Sequence, residues 1–174
     1  TIVASGVRSA FPHGGCTDRE IREGDLVVVD IGAAYHHYRS DMTRTLVAGK
    51  SSEKQKKIYE IVRLAQEKAF QAVKPKAKAK DIDVVARKII EDAGYGEYFV
   101  HGLGHGVGLE VHELPTLNQE SKDRLMIGNA VTIEPGIYII GFGGFRIEDT
   151  VLVQKGKAEK FTKGLYTLEA EKIN

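Results

Sequence analysis

The chain has 174 residues, 42% apolar and 28% charged, as in a globular domain with a hydrophobic core and unlike a disordered protein. The 25 Lys and Arg residues nearly cancel the 24 Asp and Glu residues, and the net charge of +1 argues against nucleic acid or an anionic membrane as a partner. No apolar run approaches the ~20 residues of a membrane span, and Cys16, the single cysteine, excludes an internal disulfide, which favours a cytoplasmic protein.

The first predicted elements form a β-hairpin. A run of apolar, mostly β-branched residues over Leu26–Ile31 lies between Gly24 and Gly32, which indicates a short buried strand. Residues 33–47 are expected to return as the second strand of this hairpin and to carry Asp41.

Two amphipathic helices follow. Ser51 or Ser52 can cap a helix that runs to about residue 73, where Lys74-Pro75 ends it. A second helix is predicted over residues 81–93, followed by Gly94 at the position where a left-handed cap is favoured.

The remainder of the chain contains a Gly-rich segment and a second hairpin. Residues 98–111 are rich in glycine and histidine, and the second hairpin is predicted over residues 130–153. The order of hairpin, two helices and hairpin predicts an α+β protein in which the helices cover one face of a curved antiparallel sheet.

The two hairpins repeat one pattern of acidic residues. Sliding the first onto the second pairs Asp30 with Glu134 at one offset, and Asp41 with Glu148 at an offset three residues larger. The same acids in two copies of one hairpin predict two strand pairs that face each other across a shared site. Such a site gathers the oxygen ligands that divalent metals prefer.

A buried carboxylate is costly unless a cation compensates its charge. One alternative for these acids is a buried salt bridge to Arg44 or Arg146. Four acids in repeated context, together with His105 in the Gly-rich segment, favour metal instead. Four carboxylates and one imidazole are too many for a structural zinc but suit two divalent ions bridged by carboxylates.

At this point the chain resembles the pita-bread metallopeptidases, which include methionine aminopeptidase, aminopeptidase P and prolidase. The motifs that carry the resemblance are Asp30-Ile-Gly, Ser40-Asp-Met-Thr-Arg-Thr, Gly104-His-Gly-Val-Gly, Thr132-Ile-Glu-Pro-Gly and Arg146-Ile-Glu-Asp. The last of these and Val111-His-Glu resemble the Xaa-Pro branch of the family, prolidase and aminopeptidase P. The resemblance implies the pita-bread fold, with a pseudo-two-fold internal repeat and helices on the outer face of its sheet.

The resemblance also implies a role for each motif residue. Asp30 would hold one metal, His105 and Glu134 the other, and Asp41 and Glu148 would bridge both, with Mn, Co, Zn or Fe as the two divalent ions. Glu134 would also relay a proton, His112 would stabilise the oxyanion, and His13 would lie on the substrate side.

Four further residues are expected to contact either these ligands or the substrate. They are His101, Arg146, Thr43 and Thr150. Arg146 is favoured as a residue that orients Glu148, with the carboxylate of the substrate as its alternative partner.

The implied activity is metal-dependent hydrolysis of the Xaa-Pro bond in a proline-containing peptide, with dipeptidase (prolidase) specificity favoured. Thr116 stands where prolidases often carry an Arg that reads the carboxylate of a dipeptide, which leaves an Xaa-Pro aminopeptidase on longer peptides as the alternative. Methionine aminopeptidase-like activity and a non-catalytic pita-bread binding domain are the weaker alternatives.

The resemblance carries expectations about domain organisation as well. Residues 1–174 are expected to form one metallopeptidase catalytic domain, truncated at its N-terminus and without the separate N-terminal domain of the family. The full-length protein is expected to be a homodimer. Without the helices that precede it in the family, the first hairpin is expected to expose apolar sheet surface or to be covered by a partner chain.

Overall fold

The structure, a computed structural model, describes residues 1–169. The strands are β1 (Ile2–Ser5), β2 (Leu26–Ile31), β3 (Ala34–Tyr35), β4 (Tyr38–Arg39), β5 (Met42–Val47), β6 (Gly104–Gly106), β7 (Glu113–Leu117), β8 (Ala130–Ile133), β9 (Gly136–Ile139), β10 (Gly143–Arg146), β11 (Asp149–Gln154) and β12 (Lys157–Lys160). The α-helices are α1 (Glu53–Ala72) and α2 (Ala79–Asp92), and short 3-10 helices span Gly6–Ala10 and Gly96–Tyr98. The prediction of an α+β protein is confirmed.

The first sheet has the antiparallel order β1-β2-β5. The predicted strand Leu26–Ile31 is confirmed as β2, and it pairs with both of its neighbours. Asp30, near the end of β2, lies opposite Ile2 of β1 and Thr43 of β5. This register brings the first acid of the repeat to the same edge of the sheet as the start of β5.

The prediction of one strand over residues 33–47 is wrong. A small hairpin, β3-β4, interrupts it, and its turn residues His36 and His37 have φ angles of 47° and 71°. Two successive residues in the left-handed region match the twist of a two-residue hairpin turn, although that conformation favours glycine or asparagine. Asp41 therefore lies just before β5 rather than inside a strand.

The second sheet has the order β12-β11-β8-β6-β7, and β9 and β10 form a separate hairpin beside it. The predicted second hairpin over residues 130–153 thus contains four strands instead of two. The remaining two acids lie in the short segments between these strands: Glu134 directly follows β8, and Glu148 directly precedes β11. The backbone N–H of Glu148 donates to the carbonyl of Thr43, at 3.0 Å, which joins the second copy to β5.

Both predicted helices are confirmed, with small shifts at their ends. A capping box starts α1: the Ser52 hydroxyl accepts from the Gln55 N–H, and the Gln55 side chain accepts from the Ser52 N–H. The second helix begins at Ala79 rather than Asp81, and Gly94 follows it with a φ of 83°. The helices pack on each other and on β7 to β10, and their buried residues join the main hydrophobic core.

The outer face of the first sheet is only partly covered. Val3 of β1 is 41% exposed, and Ile31 of β2 is 40% exposed. These exposed side chains agree with the expectation of an apolar surface on the first hairpin. Within residues 1–169, no helix is long and apolar enough to cross a membrane.

Candidate metal centre

The five predicted ligands border one cavity between the two hairpin copies. The cavity has a volume of about 550 Å³, within the range typical of small-molecule sites. Its lining includes the five ligands Asp30, Asp41, His105, Glu134 and Glu148, and also His13, His101, His112 and Arg146. Thr43 and Thr150 lie behind the ligands and outside this lining.

The tightest group of ligand atoms comes from both halves of the chain. Asp41, His105 and Glu148 each offer one atom, and these atoms lie within 4.8 Å of one another. His105 Nε2 lies 3.1 Å from Glu134 Oε1 and 3.8 Å from Asp41 Oδ2. His105 Nδ1 lies 3.0 Å from the Gly106 carbonyl, which can only accept, so Nδ1 carries a proton. Nε2 faces the carboxylates, where it donates to Glu134 when the ring is charged and can bind a metal when the ring is neutral.

Glycine and threonine hold His105 and Glu134 in place. A Cβ atom on Gly104 would overlap the Thr132 carbonyl oxygen, so β6 approaches β8 this closely only with glycine there. The Thr132 hydroxyl accepts from the His105 N–H at 3.0 Å and donates to Glu134 Oε1 at 2.9 Å. Sequence reasoning missed the role of Thr132, although its place two residues before Glu134 puts both side chains on the same side of an extended segment and is a usable signal.

Arg146 is buried, and its guanidinium donates in four directions. Nη2 donates to Asp30 Oδ2 at 2.6 Å, and Nε donates to the Thr43 hydroxyl at 3.1 Å. Nη1 donates to the Pro12 carbonyl and to the Tyr138 hydroxyl, both at 3.0 Å. Of the four acids, Asp30 therefore does form the salt bridge to Arg146 that was the alternative to metal binding. Arg146 reaches Glu148 through Thr43 rather than directly.

The two threonines act differently. The Thr43 hydroxyl donates to Glu148 Oε2 at 2.5 Å, as expected for a residue that orients a ligand. The Thr150 hydroxyl donates to the backbone carbonyl of Asp41 at 2.8 Å, so it holds the main chain of that ligand and not its carboxylate.

Both ring nitrogens of His101 are occupied by protein groups. Nδ1 lies 2.7 Å from the Gly102 carbonyl and Nε2 lies 2.9 Å from the Tyr138 hydroxyl. Since the Tyr138 oxygen accepts from Arg146, its proton goes to His101 Nε2. Burial lowers the pKa of His101, in keeping with this neutral ring. His101 thus supports Tyr138 and Arg146, and sequence reasoning missed Tyr138 because it carries no motif.

His112 and His13 lie at the open side of the cavity. The His112 ring packs edge-on against His105, with centroids 4.1 Å apart, and His112 is exposed. Burial and the neighbouring His105 lower the pKa of His112, so the ring is mainly neutral near pH 7 and able to donate one hydrogen bond. His13 is exposed at the rim.

The carboxylates repel one another strongly in the metal-free chain. Burial, followed by the charges of Asp30 and Glu134, raises the pKa of Asp41 to about 6. Burial and the charges of Glu134 and Asp41 raise the pKa of Glu148 well above its usual value. Burial also raises the pKa of Glu134, but the His105 hydrogen bond and the nearby positive charges, including Arg146, together outweigh it and leave that pKa lowered. Such a cluster fits divalent cations, which supply the missing positive charge.

A second buried network lies directly behind Glu148. Asp149 is fully buried and accepts from Arg44, Gln66, Thr162 and Tyr166. Arg44 also donates to the backbone carbonyl of Glu148 at 2.6 Å. The alternative of a salt bridge from Arg44 to a candidate ligand is therefore wrong, because Arg44 pairs with Asp149 instead.

Comparison with known protein families gives one decisive match. Residues 1–155 match the model of metallopeptidase family M24. The chain belongs to this family. The resemblance predicted from the five motifs is thereby confirmed at the level of the family.

Individual relatives and solved structures place this M24 chain more closely. The Xaa-Pro dipeptidase of Pyrococcus horikoshii is 58% identical over 163 residues, which are 94% of this chain and 46% of that protein. The prolidase structure from Pyrococcus furiosus superposes with a TM-score of 0.93 at 55% identity, over 94% of this chain and 49% of the other. The X-Pro aminopeptidase structure from Thermotoga maritima superposes with a TM-score of 0.94 at 42% identity, over 97% of this chain and 48% of the other.

These superpositions confirm the predicted pita-bread fold. The chain spans about half the length of the curated relatives that it matches. The M24 family implies divalent metal ions, and the ligand atoms of Asp41, His105 and Glu148 are close enough together to hold one.

Proposed function

We propose that this chain carries the dinuclear metal site of a hydrolase that cleaves the Xaa-Pro bond of a dipeptide. The observation that carries the proposal is the convergence of four acids and His105 from two repeated hairpins on one cavity. The similarity to the Xaa-Pro dipeptidase of Pyrococcus horikoshii supports the choice of substrate.

Each ligand has a proposed place. Asp30 would hold one ion, His105 and Glu134 would hold the other, and Asp41 and Glu148 would be shared by both. When bound, the ions supply Lewis-acid polarisation of the scissile carbonyl and lower the pKa of a bound water. Manganese, cobalt, zinc and iron all suit these donors, and their availability in the cell decides among them.

The proton and the oxyanion are handled by residues of the chain. Glu134 takes the proton of the attacking water on a carboxylate oxygen and passes it to the prolyl nitrogen that leaves. The neutral ring of His112, beside His105, donates a hydrogen bond to the carbonyl oxygen as negative charge develops there. His13, at the rim of the same cavity, contacts the substrate. Arg146, Thr43 and Thr150 keep the ligands oriented.

An Xaa-Pro aminopeptidase that acts on longer peptides is the second candidate. The close superposition of the Thermotoga maritima X-Pro aminopeptidase favours it, as does the cavity position of Thr116, which has no charge to attract a carboxylate. The higher identity to the dipeptidases keeps dipeptidase activity as the first choice.

We further propose that residues 1–174 belong to one catalytic domain and that the full-length protein is a cytoplasmic homodimer. The single match over residues 1–155 supports one domain, and the single cysteine supports a reducing compartment. The family resemblance supports the dimer, and sedimentation of the full-length protein tests it.

Hydrolysis of Gly-Pro and of Gly-Pro-Ala by the Mn- or Co-loaded protein tests the activity. Cleavage of the dipeptide alone is expected, and Glu134→Gln is expected to lower kcat by ~100-fold or more because the proton relay is lost. Glu120→Gln, on the exposed surface, is the matched control. Cleavage of the tripeptide would establish the aminopeptidase instead. A protein that binds no metal would contradict the ligand set, and a metal-loaded protein that cleaves neither peptide would contradict the function.

A further inference from the structure

Two arginine side chains, Arg39 and Arg146, border the cavity, and they differ in how many hydrogen bonds they make to other groups of the protein. Arg146 is 3% exposed, and all three of its nitrogens donate to protein groups. Arg39 is exposed, and within residues 1–169 its guanidinium makes no hydrogen bond or ion pair. Arg39 is therefore the permanently charged group of the cavity that is available to a ligand.

The backbone of Arg39 is fixed even though its side chain is free. In the hairpin, Arg39 pairs with Ala34, and its N–H donates to the Gly108 carbonyl at 2.8 Å. The next residue, Ser40, donates from its N–H to the Ala33 carbonyl and accepts from the Ala33 N–H on its hydroxyl, both at 3.0 Å. The side chain thus starts from a defined point on the rim, so binding has to order the side chain but not the backbone that carries it.

A peptide carboxylate that enters this cavity needs a cation of its own. Four acidic side chains face the same space, and two divalent ions would be needed to balance their charges, so a further negative charge requires an additional cation. Arginine suits this task because its planar guanidinium pairs with a carboxylate through two parallel hydrogen bonds. Thr116, on β7, also borders the cavity but offers no charge, and its N–H donates to Asp123 at 2.9 Å.

We infer that Arg39 binds the C-terminal carboxylate of the peptide substrate and thereby selects dipeptides; this inference rests on the function proposed above. Arg39 lies two residues before the ligand Asp41, so their Cα atoms are at most roughly 7 Å apart. A dipeptide has a similar reach, and each additional residue moves the carboxylate away by roughly 3.5 Å. Arg39 therefore lies close enough to the proposed metals to bind the carboxylate of a dipeptide, and longer peptides place their carboxylate too far away.

Steady-state kinetics of the Mn-loaded protein test this role with Gly-Pro and Gly-Pro-amide, which differ only in the terminal charge. The wild type is expected to prefer Gly-Pro by roughly 10- to 100-fold in kcat/KM, the range of a charge-assisted hydrogen bond. In Arg39→Ala this preference is expected to fall to near one through a higher KM for Gly-Pro, with the amide unaffected. Arg39→Lys is expected to restore part of the preference, and Arg39→Glu to reverse it.

The matched control is Arg22→Ala, an exposed arginine outside the cavity lining, which is expected to keep the wild-type preference. Calorimetric binding of L-proline and of L-prolinamide to the same Mn-loaded proteins gives a readout that does not need turnover. Arg39→Ala is expected to weaken proline binding by roughly tenfold or more and to leave prolinamide unchanged.

The outcomes separate the two proposals. An Arg39→Ala protein that still distinguishes Gly-Pro from its amide, or proline from prolinamide, overturns the role of Arg39 while the peptidase stands. Equal binding of proline and prolinamide by the wild type overturns it as well. If neither the wild type nor Arg39→Ala cleaves either peptide, but Arg39→Ala binds proline more weakly than the wild type does, the carboxylate site stands and the peptidase function is contradicted.

Discussion

Replacing the candidate metal ligand Asp41 is expected to stabilise the metal-free protein. The carboxylate of Asp41 is 13% exposed and, within residues 1–169, accepts no hydrogen bond, so Asp41→Asn removes a charge without breaking one. Its pKa is about 6 in the folded chain, against 3.8 as the ordinary value that serves for the unfolded chain. At 1.36 kcal/mol for each tenfold change in proton affinity, the ionised group costs the folded state ~3 kcal/mol.

The sign of this effect depends on pH. Between 3.8 and about 6 the folded state keeps a proton that the unfolded state has lost. The free energy of unfolding therefore falls as the pH rises through this window and stays lower above it. Asp41→Asn lacks this fall, so its advantage over the wild type is expected to be ~3 kcal/mol at neutral pH and to vanish as the pH approaches 3.8.

Urea unfolding in EDTA, at a series of pH values, measures this difference directly. Addition of Mn is expected to reverse the order at neutral pH, because the wild type gains binding energy that the variant largely loses. A variant that is less stable than the wild type in EDTA at neutral pH would refute the reasoning, as would an advantage that does not change with pH.

Three further substitutions test the supports of the site and of the fold. Tyr138→Phe removes a buried hydroxyl that hydrogen-bonds to His101 and Arg146, and it is expected to lower the free energy of unfolding by about 1–3 kcal/mol. The control Tyr35→Phe, at a site 77% exposed, is expected to change nothing measurable. Equal effects of the two substitutions would contradict the network. Gly104→Ala pushes β6 away from β8 and is expected to weaken Mn binding, measured by calorimetry, by roughly tenfold or more. The control is Gly15→Ala, where a Cβ meets nothing within 4 Å, and this variant is expected to bind Mn as the wild type does. Ser52→Ala removes the cap of α1 and is expected to cost ~1 kcal/mol in urea unfolding; a change in Mn affinity would show that the helix end is coupled to the site.

The secondary structure was predictable where local signals agreed. Helix α1 combines an apolar face with a capping box that starts at Ser52, so both its existence and its start follow from nearby residues. The β3-β4 hairpin was not predictable in this way, because His36 and His37 adopt a conformation that their side chains disfavour. Tertiary contacts, such as the bond from Arg39 to Gly108, hold that turn in place.

The candidate acidic ligands could be predicted from the sequence because each acid repeats in the other hairpin and lies within two residues of a glycine, a proline or a threonine of a motif. Their supports could not. Tyr138 meets His101 across 37 positions of the chain, and Arg146 meets Asp30 across 116. Contacts of that separation are set by how the two halves pack, and no local pattern around Tyr138 records them. The role of Arg39 could not be predicted for a related reason, since Arg39 lies at the cavity only because the β3-β4 hairpin packs there.

The network around Asp149 determines where this chain can be cut or joined. Lys160, Thr162 and Tyr166 each contact the carboxylate of Asp149, and Arg44 connects Asp149 to the main chain of the neighbouring Glu148. The exposed turn at Lys155 and Gly156 is a natural place for a protease nick or an inserted sequence. A nick there breaks the covalent link between β11 and β12, so the network around Asp149 would be held only by the backbone pairing of these strands and by side chains. Damage at this distant turn would then reach the main chain of the candidate ligand Glu148, so the turn is a poor site for grafting new sequence despite its exposure.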